Sequence, residues 1–286
     1  MKILKIIGIT GLVILGVVTV KFNLIEVIPV QFSMEKYIKS VSETDYEEEL
    51  RNEPVCIKDK AYGDKEQTPT DAVSIMNVFE LHDELEEKYD LSSVASAGTD
   101  FEKTLQLLEW LTEHTYYSGM QMRGVTDNTV DILDFSFDKP FTRAINCRDK
   151  AIAFADCLVA VGIKAYPVCM QSADFKGCHF TCMAYISELD KWCAFDPSFG
   201  CWFSDENGNP LGLYEIREMF IEGREPVVNG YSFNGTEECF DVYMNGFLKR
   251  CISNMSTWEN NSMEGRTTKS RVGRKAFSSA IPTDVR

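Results

Sequence analysis

Apolar and polar positions divide the 286-residue chain into stretches of different kinds. Ile6 to Val20 form an almost unbroken apolar run, preceded by Lys2 and Lys5 and closed by Lys21. From roughly Ser40 to Asp71 the pattern is polar and acidic, with Glu47, Glu48 and Glu49 in a row, which suits a solvated stalk. Helical periodicity begins at Thr99. With Glu102 three residues on it makes a capping box, and Phe101, Leu105, Leu108 and Leu111 fall on one face. Tyr116 to Gly119 end this helix, and the stretch to Phe141, punctuated by Asp and Pro, reads as loop. A second helix is predicted over Cys147 to Val161, capped by Asn146 and stopped by Gly162. Its main stripe is Ala151, Phe154, Ala155, Leu158 and Val159, and Ala153, Cys157 and Val161 make the other faces apolar too, so it is central and buried. Three strands follow, Ala165–Met170, His179–Ile186 and Trp192–Asp196, the last two joined by the polar loop Ser187–Asp190. The order predicts an α+β fold, a buried helix packed on an antiparallel sheet. The resulting division is an N-terminal segment (1–24), an acidic stalk (25–71), a folded domain (72–205) and a C-terminal extension (206–286) with a mobile basic tail around Arg266, Lys269, Arg271, Arg274 and Lys275.

The apolar N-terminal run falls in length between a signal-peptide core and the roughly 18 to 20 residues that span a bilayer. It is read as a membrane anchor or signal segment, which makes the membrane a partner through residues 1–24. Its positive flank puts the rest of the chain outside the cytoplasm, anchored or secreted. A hydrophobic content of 44% is enough for a core, and a formal charge of −15 opposes binding to a phosphate backbone, so nucleic acid is not expected as a partner. Ten cysteines outside the cytoplasm suggest disulfides. If one of them must act as a free thiol, the nine others cannot all pair within the chain.

Chemistry concentrates between Cys147 and Asp196. Cys147 occupies the first turn of the buried helix, where exposed N–H groups and the positive end of the dipole favour negative charge on sulfur. It lies four residues before Ala151, which places it on the stripe facing the sheet. On the next strand but one, His179, Thr181, Met183 and Tyr185 share a face. If the hairpin loop is the four residues 187–190, Ile186 faces Lys191 and Thr181 faces Asp196. His179 and Asp196 are then diagonal neighbours, roughly 7 to 8 Å apart at the backbone, a gap that side chains can close. In general thiol-enzyme logic His179 takes the Cys147 proton, Asp196 orients the imidazole, and the Cys147 N–H is a first oxyanion donor. A zinc site of Cys178, His179 and Cys182, with Cys193 or Cys201, is disfavoured because the two cysteines project from the face opposite His179. His82 and His114 read as surface or capping residues. Trp110, Trp192 and Trp202 read as core or cleft-edge aromatics, with Trp202 a candidate for a substrate groove.

Three blocks carry a family resemblance: Asn146-Cys147-Arg148-Asp149-Lys150-Ala151 running on to Val161-Gly162-Ile163-Lys164-Ala165; His179 opening a strand; and Trp192-Cys193-Ala194-Phe195-Asp196-Pro197-Ser198. Together they resemble the transglutaminase-like superfamily over about Thr99 to Phe199. Phe180 and Ser198 depart from the small residue and the threonine common at those places, and neither departure removes a reactive group. The resemblance implies a papain-like α+β core, Cys147, His179 and Asp196 as triad, and a peptide or protein substrate; no cofactor and no metal are expected. It also implies acyl transfer from an amide to an amine or to water, through an acyl-thioester. The competing reading is a non-catalytic binding or scaffold module on the same fold.

Overall fold

The computed structural model describes residues 79–96, 98–119, 128–137, 143–172, 177–237 and 239–257. The expected N-terminal segment, the stalk and the basic tail lie outside these residues, and no described helix is long and apolar enough to cross a membrane. In chain order the elements are α1 (Phe79–Tyr89), α2 (Leu91–Val94), α3 (Asp100–His114), α4 (Thr129–Ser136), α5 (Cys147–Ala160), β1 (Ala165–Gln171), β2 (Cys178–Ile186), β3 (Lys191–Asp196) and β4 (Cys201–Ser204). After them come α6 (Leu213–Ile221), β5 (Val227–Asn229), α7 (Phe240–Val242) leading into a π-helical turn (Tyr243–Lys249), and β6 (Asn254–Ser256). The fold is α+β, with a six-stranded antiparallel sheet ordered β5-β4-β3-β2-β1-β6.

Local chemistry accounts for the helices. The Thr99 side chain accepts from the Glu102 N–H while the Glu102 carboxylate accepts from the Thr99 N–H, and α3 then buries Thr104, Leu107, Leu108 and Leu111. α5 is capped by Asn146, whose side chain accepts from the Asp149 N–H at 3.0 Å, and the chain leaves it through Gly162 at φ +86°, a conformation that favours glycine. Every residue of α5 from Asp149 to Leu158 is buried, as its all-round apolar pattern predicts. α4 was not foreseen within the stretch read as loop. Asn128 caps it by accepting from Val130 and Asp131, and Val130, Ile132 and Leu133 turn inward.

Two cores sit on the two faces of the sheet. Ala165, Cys182, Ala184, Ile186, Cys193 and Phe195 pack against α5, α3 and the N-terminal helices. Tyr166, Val168, Met170, Met183, Ala194, Cys201 and Phe203 pack against α6 and the π-helical turn. The boundary expected at residue 205 therefore falls inside the fold: β5 pairs with β4, β6 pairs with β1, and the segment between them covers the second apolar face. β5 and β6 have three residues each, too short for an alternating pattern to stand out. His82 is buried, not a surface residue. Trp202 packs edge-on against Phe101, 4.9 Å between ring centroids, on the helix side of the sheet.

Candidate active site

The loop entering α5 is fixed before the nucleophile candidate is reached. Ile145 donates to the Tyr116 carbonyl and accepts from the Ser118 N–H, each at 2.9 Å, making a one-residue parallel bridge with Tyr117. Asn234 grips the Tyr117 backbone from the other side, accepting from its N–H at 2.8 Å and donating to its carbonyl at 2.9 Å. Cys147, the first residue of α5, is half-buried. As the first N–H of α5, that of Cys147 has no intrahelical acceptor, and the Asn146 side chain caps the Asp149 N–H instead.

The β2–β3 hairpin has the expected register, with Ile186 opposite Lys191 and Cys182 opposite Phe195. One step further Thr181 faces Asp196, and His179 stands diagonal to it. The side chains close the gap: His179 Nε2 and Asp196 Oδ2 are 2.7 Å apart, both fully buried. With Nε2 engaged by the carboxylate, the buried Nδ1 makes no hydrogen bond among the described residues, and Cys147 lies near enough to favour the imidazole's charged form.

The route by which the thiol gets there differs from the expectation. His179 pairs with Met170 and Asp196 with Cys201, so both lie on the face that packs against α6 and the π-helical turn, not on the face carrying α5. Cys147 contacts that second core from the end of its helix. Its place at the helix start, more than its place on the packed stripe, brings it to the core on His179's side of the sheet.

Burial opposes an imidazolium, but the Asp196 carboxylate outweighs it by charge and by hydrogen bond. With a further contribution from Cys147, the His179 imidazole is lifted to about 10. Asp196 itself accepts three hydrogen bonds: from His179 and, at 3.0 Å, from the Tyr243 hydroxyl on Oδ2, and from the Ser198 N–H at 3.0 Å on Oδ1. Aromatic rings enclose the pair, with Phe199 at 5.7 Å and Phe247 edge-on at 5.2 Å from the His179 ring centroid. Below Cys147, Lys150 is buried and donates to the Thr115 carbonyl at 3.0 Å; burial pushes its amine down to about 7, against the pull of Asp196.

Sequence reasoning missed Tyr243, Phe247 and Lys150. For Lys150 a signal existed: it shares a face with Phe154 and Cys157 on a helix that is apolar all round. His114 does end α3, bonding to the Trp110 carbonyl through Nδ1 at 2.8 Å and stacking on Phe137. No three His, Cys, Asp or Glu side chains group to hold a metal ion among the described residues. Cys147, Cys157, Cys178, Cys182, Cys193 and Cys201 are free thiols. A cavity of about 550 Å³ beside α6, lined in part by Asp205, Tyr214, Glu218 and Arg224, contains none of the three candidate residues.

No family model matches the sequence, and no curated protein matches it. Among solved structures the chain is similar to a candidate cysteine protease from Cytophaga hutchinsonii, at 21% identity and a TM-score of 0.34, over 54% of this chain and 47% of that one. It is also similar to a TGase, at 19% identity and a TM-score of 0.26, over 42% of this chain and 31% of that one. The chain thus spans less than half the length of each.

Proposed function

We propose that this protein is a thiol enzyme acting on peptide or protein amide bonds through an acyl-thioester, by hydrolysis or acyl transfer. One observation carries the reading: a fully buried His179–Asp196 pair at 2.7 Å whose Nδ1 is left unbonded, with the first-turn thiol of α5 packed on the same core. Cys147 gives its proton to His179 Nδ1, and the thiolate attacks the carbonyl carbon of the amide. The tetrahedral oxyanion takes the Cys147 N–H as a donor. Its collapse breaks the C–N bond, and the proton on His179 leaves with the amine. Water or a second amine then attacks the thioester, passing a proton through the same imidazole and returning Cys147 to the thiol. Asp196 keeps its hydrogen bond to Nε2 throughout and so fixes which ring nitrogen is available. The apolar segment at Ile6–Val20 is the basis for placing this activity outside the cytoplasm, at the cell envelope.

The test is labelling of the purified full-length protein with iodoacetamide across pH, read by mass spectrometry. Five of the described thiols make a discriminating background. Burial raises Cys157, Cys182 and Cys201, pushes Cys193 up to about 12, and with the nearby Cys147 also raises the exposed Cys178. Cys147 is therefore expected to dominate near pH 5 to 6, by about tenfold over Cys178, and to lose that lead in His179→Ala. Equal labelling of Cys147 and Cys178 at low pH would remove the main support for catalysis.

A further inference from the structure

Tyr243 begins the π-helical turn that leads toward β6, nearly fifty residues after Asp196, and its side chain is fully buried. Its hydroxyl reaches Asp196 Oδ2 at 3.0 Å, the same oxygen that receives His179 Nε2. The Cys201 thiol, opposite Asp196 on β4, donates to the Tyr243 oxygen at 3.4 Å. That contact occupies the acceptor side of the phenol and leaves its proton for the carboxylate. Burial, reinforced by the charge of Asp196, raises both Tyr243 and Cys201 well above their ordinary ranges, so both remain protonated donors. The direction of the chain is therefore fixed: Cys201 to Tyr243 to Asp196, with His179 donating from the other side.

The same turn also touches the imidazole. Phe247, four residues after Tyr243, sets its ring edge-on to His179 at 5.2 Å, and Phe199 lies between, 4.4 Å from Tyr243 and 5.7 Å from His179. A π-helical turn is rare and costs regular hydrogen bonding, and such turns concentrate at functional sites. Here it brings one polar and one apolar contact to the two members of a single buried pair.

We propose that Tyr243 is a positioning residue: its hydroxyl, backed by Cys201, holds the Asp196 carboxylate turned toward His179. The proposal rests on the Cys-His-Asp reading above and deepens it, because it makes the site depend on a segment outside the three blocks that suggested that site. A buried carboxylate needs its donors. Without the phenol, Asp196 has only His179 and the Ser198 N–H. It is then freer to turn from the ring, which weakens what holds the proton on His179. Among the described hydrogen bonds Tyr243 reaches Asp196 and Cys201 and not Cys147, so its influence on the reacting thiol is indirect.

Tyr243→Phe keeps the ring against Phe199 and removes only the hydroxyl. On the full-length protein, the His179 ring titration by NMR and the pH profile of Cys147 alkylation are measured for wild type, His179→Ala and Tyr243→Phe. In Tyr243→Phe the His179 midpoint is expected to move to lower pH, and Cys147 labelling near pH 6 to fall by about tenfold, the loss of one hydrogen bond to a charged group. A purely structural role would lower the melting temperature and leave the His179 midpoint in place. If wild type shows His179-dependent labelling and Tyr243→Phe matches it in midpoint and rate, the positioning role is overturned while the triad stands. If wild-type Cys147 shows no dependence on His179, the functional reading fails first and this proposal with it. Should Tyr243→Phe not fold, site-specific 3-fluorotyrosine at position 243 keeps the shape and changes only donor strength; an unmoved midpoint there would overturn the proposal equally.

Discussion

Lys150 and His179 are both buried bases near Asp196, and they answer burial in opposite ways. Lys150, with the Thr115 carbonyl as its acceptor, falls from an ordinary value of 10.5 to about 7 because burial outweighs the attraction of Asp196. His179, in direct contact with that carboxylate, rises from 6.5 to about 10 against the same penalty. Between about pH 7 and 10.5 the unfolded chain holds more of the Lys150 proton than the native state does, so this group makes stability rise with pH. His179 works in reverse: its contribution is complete below about 6.5 and is lost as pH climbs to about 10. The two slopes overlap and oppose each other. Lys150→Met, similar in volume, removes the rising one. Its urea-unfolding free energy is expected to fall from pH 7 to pH 10, relative to wild type, on top of a constant cost of about 1 to 3 kcal/mol for the orphaned Thr115 carbonyl. A pH dependence parallel to that of wild type would show that Lys150 does not titrate in this window. A lysine on a helix normally reads as solvent-facing; only the absence of any polar face on α5 marks this one as buried.

The β2–β3 connection shows how an element can be read correctly for only part of what it does. Its four-residue length follows from the polar stretch Ser187–Asp190, and that length alone sets the register that joins His179 to Asp196. Its second role could not be seen, because it depends on an element eighty-seven residues earlier. The Glu188 carboxylate accepts from the N–H groups of Asp100 and Phe101 at 3.2 and 2.9 Å, and Ser187 bonds back to the Asp100 carboxylate. The hairpin thus sits on the N-terminus of α3 and supplies acceptors to N–H groups that the Thr99–Glu102 box leaves over. Partial burial tends to raise the Glu188 carboxyl, but the Phe101 N–H and its neighbours draw it below the ordinary range. A lowered carboxyl stabilises the fold above its ordinary value near 4.5 and loses that effect as pH falls through the folded value. Glu188→Ala should therefore cost about 1 kcal/mol at pH 7, as loss of a helix-terminus acceptor does. The difference from wild type should close as unfolding is followed toward pH 3. An equal difference at both pH values would assign the cost to packing instead.

Across the whole molecule, the helix-side core is built mainly on segments whose periodicity is plain in the sequence, α3, α5 and β1 to β3, to which α1, α2 and the unforeseen α4 add Leu85, Leu91, Ile132 and Leu133. The opposite core draws on α6, the π-helical turn and β6, where short strands and an irregular helix carry little pattern. His179 and Asp196 were legible as types and spacings, yet they belong to this second, poorly legible half. It follows that residues 206–257 are needed by the site and are not an appendage to it. Without them Met170, Met183, Ala194, Phe199 and Phe203 lose their cover, the Asp196 carboxylate loses Tyr243, and the outer edges of β1 and β4 lose their partners. A chain ending at Asp205 is expected to bind a hydrophobic dye, to unfold without a cooperative urea transition, and to label Cys147 no faster than Cys178 at pH 6. A chain ending at Thr257 keeps every described element and should match the full-length protein in all three measurements. If the shorter chain instead unfolds cooperatively at the full-length midpoint, the sheet is stable with one face bare. The two cores would then have to be treated as independent, with α5 and the first three strands sufficient to hold Cys147, His179 and Asp196 together.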